Sequence, residues 1–178
     1  MNSINEKKVK VSDATLSGAA INDGSIEWSI NVEIEELDWN GHYMNPRIYL
    51  QRYVWDVKNI KDIYNTPIVV KSDSEFSGND MLLPDSKLCC IYTFEHDFLD
   101  NNEIVFYKNL QGNTYINWTA SCNTFGIEQL KIHIDTRVEF LGLNLGQMSE
   151  EHAKRIIKFD LDGLYFYKEN NELYLIPE

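Results

Sequence analysis

The sequence predicts a mainly β fold, an antiparallel sandwich or strongly curved sheet with one helix in the C-terminal region and a C-terminal hairpin. Three observations carry this. The stretch Ser25 to Glu35 alternates without an error: Ile26, Trp28, Ile30, Val32 and Ile34 fall on one side, and Glu27, Ser29, Asn31, Glu33 and Glu35 on the other. Strand side chains point alternately to opposite faces, so this is a strand with one dry face and one wet, acidic face. Turn signals then recur about every 8–12 residues, the spacing of an all-β domain. Strand-like segments also outnumber helical ones by about eight to one or two.

Taken in order, residues 1–6 read as a frayed end. Lys7 to Val11 and Ala14 to Ile21 read as one short strand or two, leading to Asn22-Asp23-Gly24. Asp-Gly between strand-like runs signals a hairpin, because the turn needs positive φ. Leu37 to Asn45 reads as a loop. Pro46 to Tyr64 fits a strand through about Val54 and then a turn-rich segment, although Leu50, Tyr53, Val54, Val57, Ile60 and Tyr64 also fit a helical stripe. Pro67 to Lys71 reads as a short strand, and Ser72 to Ser86 as a surface loop. Leu88 to Phe98, Ile104 to Leu110 and Thr114 to Phe125 read as three antiparallel strands, turned at Asp100-Asn101-Asn102 and Gln111-Gly112-Asn113. Lys131 to Leu141 alternates again, with His133, Asp135 and Arg137 outward. Ser149 caps a helix running to about Lys158, with acids at its start and bases near its end. Leu164 to Lys168 and Glu172 to Ile176 close the chain as a hairpin around Asn170-Asn171.

A chain of 178 residues with this patterning forms a single domain spanning 1–178. The 28 acids against 16 bases give a net charge of −12, which repels nucleic acid and anionic membrane and draws basic partners. Acidity also serves plain solubility. Three cysteines, Cys89, Cys90 and Cys122, do not make a disulfide framework and read as reduced thiols. With no signal-peptide core and no run near the ~20 apolar residues of a membrane span, the expected location is cytoplasmic.

Reactive centres are hard to find. His133, Asp135 and Arg137 share one outward face, and His96 sits between Glu95 and Asp97, but spacing marks no third metal ligand. Cys122 lies on the apolar side of its strand beside Trp118 and reads as packing. Gly142 to Gly146 lacks the residues of a phosphate loop. Asp160-Leu-Asp162-Gly163 reads as a turn, not a calcium loop. The sequence therefore implies no catalytic residue, no metal and no cofactor.

The distribution of acids remains. Ser12 to Pro46 holds seven acids and no lysine or arginine; Ser72 to Glu103 holds eight against Lys87 alone. Like charges on one sheet face cost stability, and a docking surface for a basic partner is one reason to keep them. A solvated face is the other.

A small acidic β-protein with Val-Ser-Asp-Ala-Thr-Leu-Ser-Gly at 11–18 and Asp-Gly-Ser-Ile-Glu-Trp-Ser-Ile at 23–30 resembles the immunity proteins that bacteria encode beside polymorphic or contact-dependent toxins. The resemblance spans residues 9–142 in type and transfers no single functional position. It implies a cytoplasmic binder that occludes a cognate protein toxin, often a basic nuclease, by charge complementarity. Glu27, Glu33, Glu35, Asp97 and Asp100 are the acids expected to contact it. Two alternatives stand beside this: a carbohydrate- or ligand-binding sandwich using Trp39, Tyr43 and Trp55, and a metal-dependent hydrolase using His96 or His133.

Overall fold

The computed structural model describes residues 1–39 (Trp39 by its backbone), 41–71, 89–93, 96–122 and 129–177. The expected loop at Ser72 to Ser86, the acids Asp73, Glu75, Asp80, Asp85 and Glu95, and the end of the strand drawn to Phe125 lie outside the described residues. Two sheets face each other across one apolar core, so the fold is mainly β with a single described α-helix.

The eight-stranded sheet is centred on β3 (Val11–Ala20) and β4 (Ile26–Ile34). The burial of β4 alternates residue by residue, with every apolar side chain inward, as its sequence requires. Gly24 makes the β3–β4 turn at φ 82°; a Cβ there would sit 1.9 Å from the carbonyl oxygen of Ile156. On one side of β4 follow β7 (Arg47–Val54), β9 (Cys89–Tyr92) and the edge strand β10 (His96–Phe98). On the other side of β3 follow β14 (Glu139–Asn144), β16 (Glu172–Pro177) and the edge strand β15 (Leu164–Glu169). The β3–β14 pairing is parallel, so the sheet is mixed.

The six-stranded sheet runs β2 (Lys7–Lys8), β1 (Ser3–Ile4), β13 (Leu130–Arg137), β12 (Thr114–Cys122), β11 (Asp100–Lys108), β8 (Ile68–Val70). The N-terminus, expected to fray, is its penultimate strand. Ile4 is buried, and Asn5 exchanges two hydrogen bonds with Lys131, one through its backbone N–H and one through its side-chain oxygen. The segment expected as a loop at Leu37 to Asn45 folds instead as a small hairpin of β5 (Leu37–Trp39) and β6 (His42–Met44).

Trp28, Trp55 and Phe106 bridge the two layers. Trp28 meets Trp55 edge-on at 5.9 Å between ring centroids, and Trp55 meets Phe106 at 5.6 Å. The expected turn at Asp100 to Asn102 belongs to β11, and the chain changes sheets at buried Leu99. Asn102 is 1% exposed and fully employed: its amide donates to the carbonyls of Leu99 and Val70, and its oxygen accepts the Trp118 indole N–H at 3.0 Å. A buried polar group keeps its place when it is satisfied in this way.

The helix α1 (Glu150–Ile156) is short. Ser149 caps it by accepting the His152 N–H at 3.2 Å. No helix among the described residues is long and apolar enough to cross a membrane.

Candidate functional site

The five acids singled out from the sequence lie on different parts of the molecule. Glu27 and Glu33 project from the outer face of β4, and β7 sets an arginine against each. Arg52 grips Glu27 with two bonds, Nε to Oε2 at 2.9 Å and Nη2 to Oε1 at 3.2 Å. It does so from a bulge in β7 where its own φ is +55°. Arg47 lies opposite Glu33 in register and donates to it at 2.6 Å. Glu35 follows β4 and pairs with Lys10 at 2.6 Å. These three carboxylates already have cations of their own.

Asp97 faces the other way. It lies in register with Ile91, which lies in register with Ile48, and both of these are buried. Opposed residues of an antiparallel pair share a face, so half-buried Asp97 belongs to the core-facing row of an edge strand. A charge in that position discourages a further strand from adding there. Asp100 opens β11 in the six-stranded sheet, where its carbonyl accepts the Ser121 hydroxyl at 3.3 Å.

The aromatic platform expected from Trp39, Tyr43 and Trp55 does not survive intact. Trp55 is 5% exposed and packs between Trp28 and Phe106, out of reach of a sugar. Tyr43 is exposed, and the Trp39 side chain lies outside what is described. Of the histidines, His96 is hydrogen-bonded through Nδ1 to the Tyr49 hydroxyl and lies 4.7 Å from the Tyr92 ring. Burial raises the Tyr49 phenol well above its ordinary value, and neighbouring Cys90 adds to this. His133 accepts from Asn117 at 3.3 Å. Asp135, two residues on, accepts the Tyr107 hydroxyl at 2.5 Å, which pushes that phenol up to about 12. Among the described residues no three His, Cys, Asp or Glu side chains come together as a metal site. Cys89, Cys90 and Cys122 are buried and not joined in disulfides.

A different acidic surface emerges at the C-terminal hairpin. The two-residue turn at Asn170 and Asn171, with φ 49° and 68°, fixes the register. Tyr165 stands opposite Ile176, Tyr167 opposite Tyr174 and Glu169 opposite Glu172, all on the outer face. Glu172 accepts the Tyr174 hydroxyl at 2.6 Å and the Asn144 amide at 3.1 Å on the same oxygen. The Tyr174 bond, with help from Asn144, holds the Glu172 carboxyl below its usual range. Beside this face a groove of about 870 Å³ runs between Glu172 and Asn144 on one wall and Glu151, His152 and Arg155 of α1 on the other. The Arg155 guanidinium rests on His152 Nδ1 at 3.0 Å.

No protein-family model matches the chain, and neither a curated protein nor a solved structure matches it. The geometry therefore speaks for itself: a sandwich with open sheet faces, an unbalanced charge and, among the described residues, open grooves rather than a cluster of reactive groups.

Proposed function

We propose that this chain is an immunity-type binding protein, acting in the cytoplasm, that neutralises a basic protein toxin by covering it with an acidic surface. The observation that carries the reading is the surplus of carboxylates. With 28 acids against 16 bases, pairing every cation would still leave a formal charge of −12. Among the described residues the ion pairs involve only Glu27, Glu33, Glu35, Asp23 and Glu150. A surplus of this size speeds encounter with a cationic protein and disfavours nucleic acid as a partner. The reading needs no catalytic step and no cofactor.

The test is binding to a basic toxin domain chosen from the genes adjoining this one, with toxin activity measured in the same samples. A nanomolar complex is expected, with activity lost at one equivalent. The association rate should fall at least about tenfold between about 20 and about 300 mM salt. A toxin left active by excess protein, or a rate indifferent to salt, would sink the reading.

A further inference from the structure

We infer that the outer face of the C-terminal hairpin, continued by β14, is the docking surface, and that its occupant is a lysine- or arginine-bearing face of a partner protein. This rests on the binding reading above but names a surface that reading leaves open. Three observations converge here. The first is exposed aromatic area: Tyr165 and Tyr167 are 47% and 43% exposed on one face of an edge strand, with Tyr174 beside them. Tyrosine brings large, stiff, amphipathic contact area and a ring face that attracts cations.

The second is charge complementarity. Glu169 and Glu172 stand directly opposite each other, and neither has a cation among the described residues. Like charges in that relation weaken a hairpin. The nearest base in sequence, Lys168, pairs with buried Leu173 and so belongs to the opposite row. The Tyr174 and Asn144 bonds favour the charged form of Glu172 and hold its carboxyl below the usual range. Those bonds fall on Oε2 and leave Oε1 without a donor among the described residues. A guanidinium or ammonium from outside would complete both carboxylates at once.

The third is shape. The groove of about 870 Å³ opens along the Glu172 and Asn144 side of this face. It gives a long basic side chain somewhere to lie after its head has met the carboxylates. Glu151, His152 and Arg155 of α1 line the groove as well.

The experiment uses the full chain and a fluorescein-labelled hexa-arginine amide, followed by anisotropy at about 20 mM salt. Two double variants remove the same formal charge: Glu169→Gln with Glu172→Gln, and Glu33→Gln with Glu35→Gln. The first should weaken binding at least about fivefold and the second less than about twofold, since Glu33 and Glu35 are already occupied by Arg47 and Lys10. Tyr165→Ala with Tyr167→Ala, neutral in charge, should weaken it about threefold. Circular dichroism of each variant checks that the fold is kept. Equal losses from the two glutamate pairs, or no preference for hexa-arginine over hexa-glutamate, would overturn the assignment. Because this arm needs no toxin, a toxin that fails to bind while the peptide pattern holds removes the immunity reading and leaves the surface standing. The converse result removes the surface alone.

Discussion

At the centre of the eight-stranded sheet Glu27 and Glu33 each face an arginine of β7, whereas at its C-terminal edge Glu169 and Glu172 face each other. Both pairs of glutamates lie on the outer face of the same sheet, Glu27 and Glu33 along one strand and Glu169 and Glu172 on two strands across a turn. The difference comes from what the neighbouring strand brings. The stretch from Ser12 to Pro46 contains no lysine or arginine, but it ends one residue before Arg47. Antiparallel pairing then folds Arg47 and Arg52 back over the acids. In the hairpin the neighbour is its own mirror segment, and Glu169 meets Glu172 because the turn dictates it. Charge density along a chain is therefore a poor guide to charge on a surface. Strand neighbours decide which acids are spent internally.

The comparison breaks most completely if the edge is detached, and Gly142 is where that can be done. It sits in the bulge of β14 at φ +100°, and a Cβ there would lie 2.1 Å from the Leu175 carbonyl oxygen. Gly142→Ala combines left-handed strain with overpacking against backbone, and should cost about 3 kcal/mol. Urea unfolding reads the total. Hydrogen exchange locates it: protection should fall in β16 and β15 well before β4. Uniform loss across both sheets would mean that the hairpin does not open separately.

A smaller perturbation tests the charges and should give opposite signs in the two regions. Arg52→Ala removes a two-point bond to a glutamate whose side chain is 18% exposed, while the arginine itself is 48% exposed. Allowing for that solvent access, the cost should be about 1 kcal/mol. Glu169→Lys turns an opposed like-charge pair into an opposed ion pair, and should gain about 0.5 kcal/mol. Glu36→Lys, an equal charge change on an exposed acid, corrects for the reduction in net charge. Both effects should shrink in about 1 M salt. A destabilising Glu169→Lys would mean that the hairpin carboxylates are compensated after all.

Much of the fold could be read from the chain, because hairpins and alternation are local. β4, the Asp23-Gly24 turn, the Ser149 cap and the closing hairpin stand where the sequence predicts them, the helix ending somewhat earlier. Apart from the small β5–β6 hairpin, which is local, what failed depended on partners distant in sequence. Residues 1–6 have no pattern of their own and are ordered by β13, more than a hundred residues away. Asp100-Asn101-Asn102 has turn composition, yet Asn102 is buried because Trp118 needs its oxygen. Strand direction across β3 and β14 is likewise invisible in either segment. The chosen acids were counted by window, which ignores pairing. The hairpin surface could have been found: two turn residues between Tyr165-Phe-Tyr167-Lys-Glu169 and Glu172-Leu-Tyr174 oblige the tyrosines and the glutamates to face one another.

The finest distinction lies inside the hairpin, where the Glu172–Tyr174 bond should make stability depend on pH at both ends. Glu172 has a depressed value, so its contribution is present above the ordinary carboxyl value of 4.5 and is lost as pH falls through and below it. Tyr174 has a raised value, chiefly because its proton is held by Glu172. That contribution is present below the ordinary phenol value of 10.0 and is lost as pH rises beyond it. Between those limits the bond contributes a constant amount. Tyr174→Phe removes it while keeping the ring. The difference in urea midpoint between native protein and Tyr174→Phe should therefore form a plateau, narrowing on the acid side below 4.5 and on the alkaline side above 10.0. The group is open to solvent, so the effect is small, and its shape rather than its size is the evidence. A difference that stays flat through both limits would show that Glu172 is held by something other than Tyr174, and the ionised oxygen offered to a partner's cation would need another source.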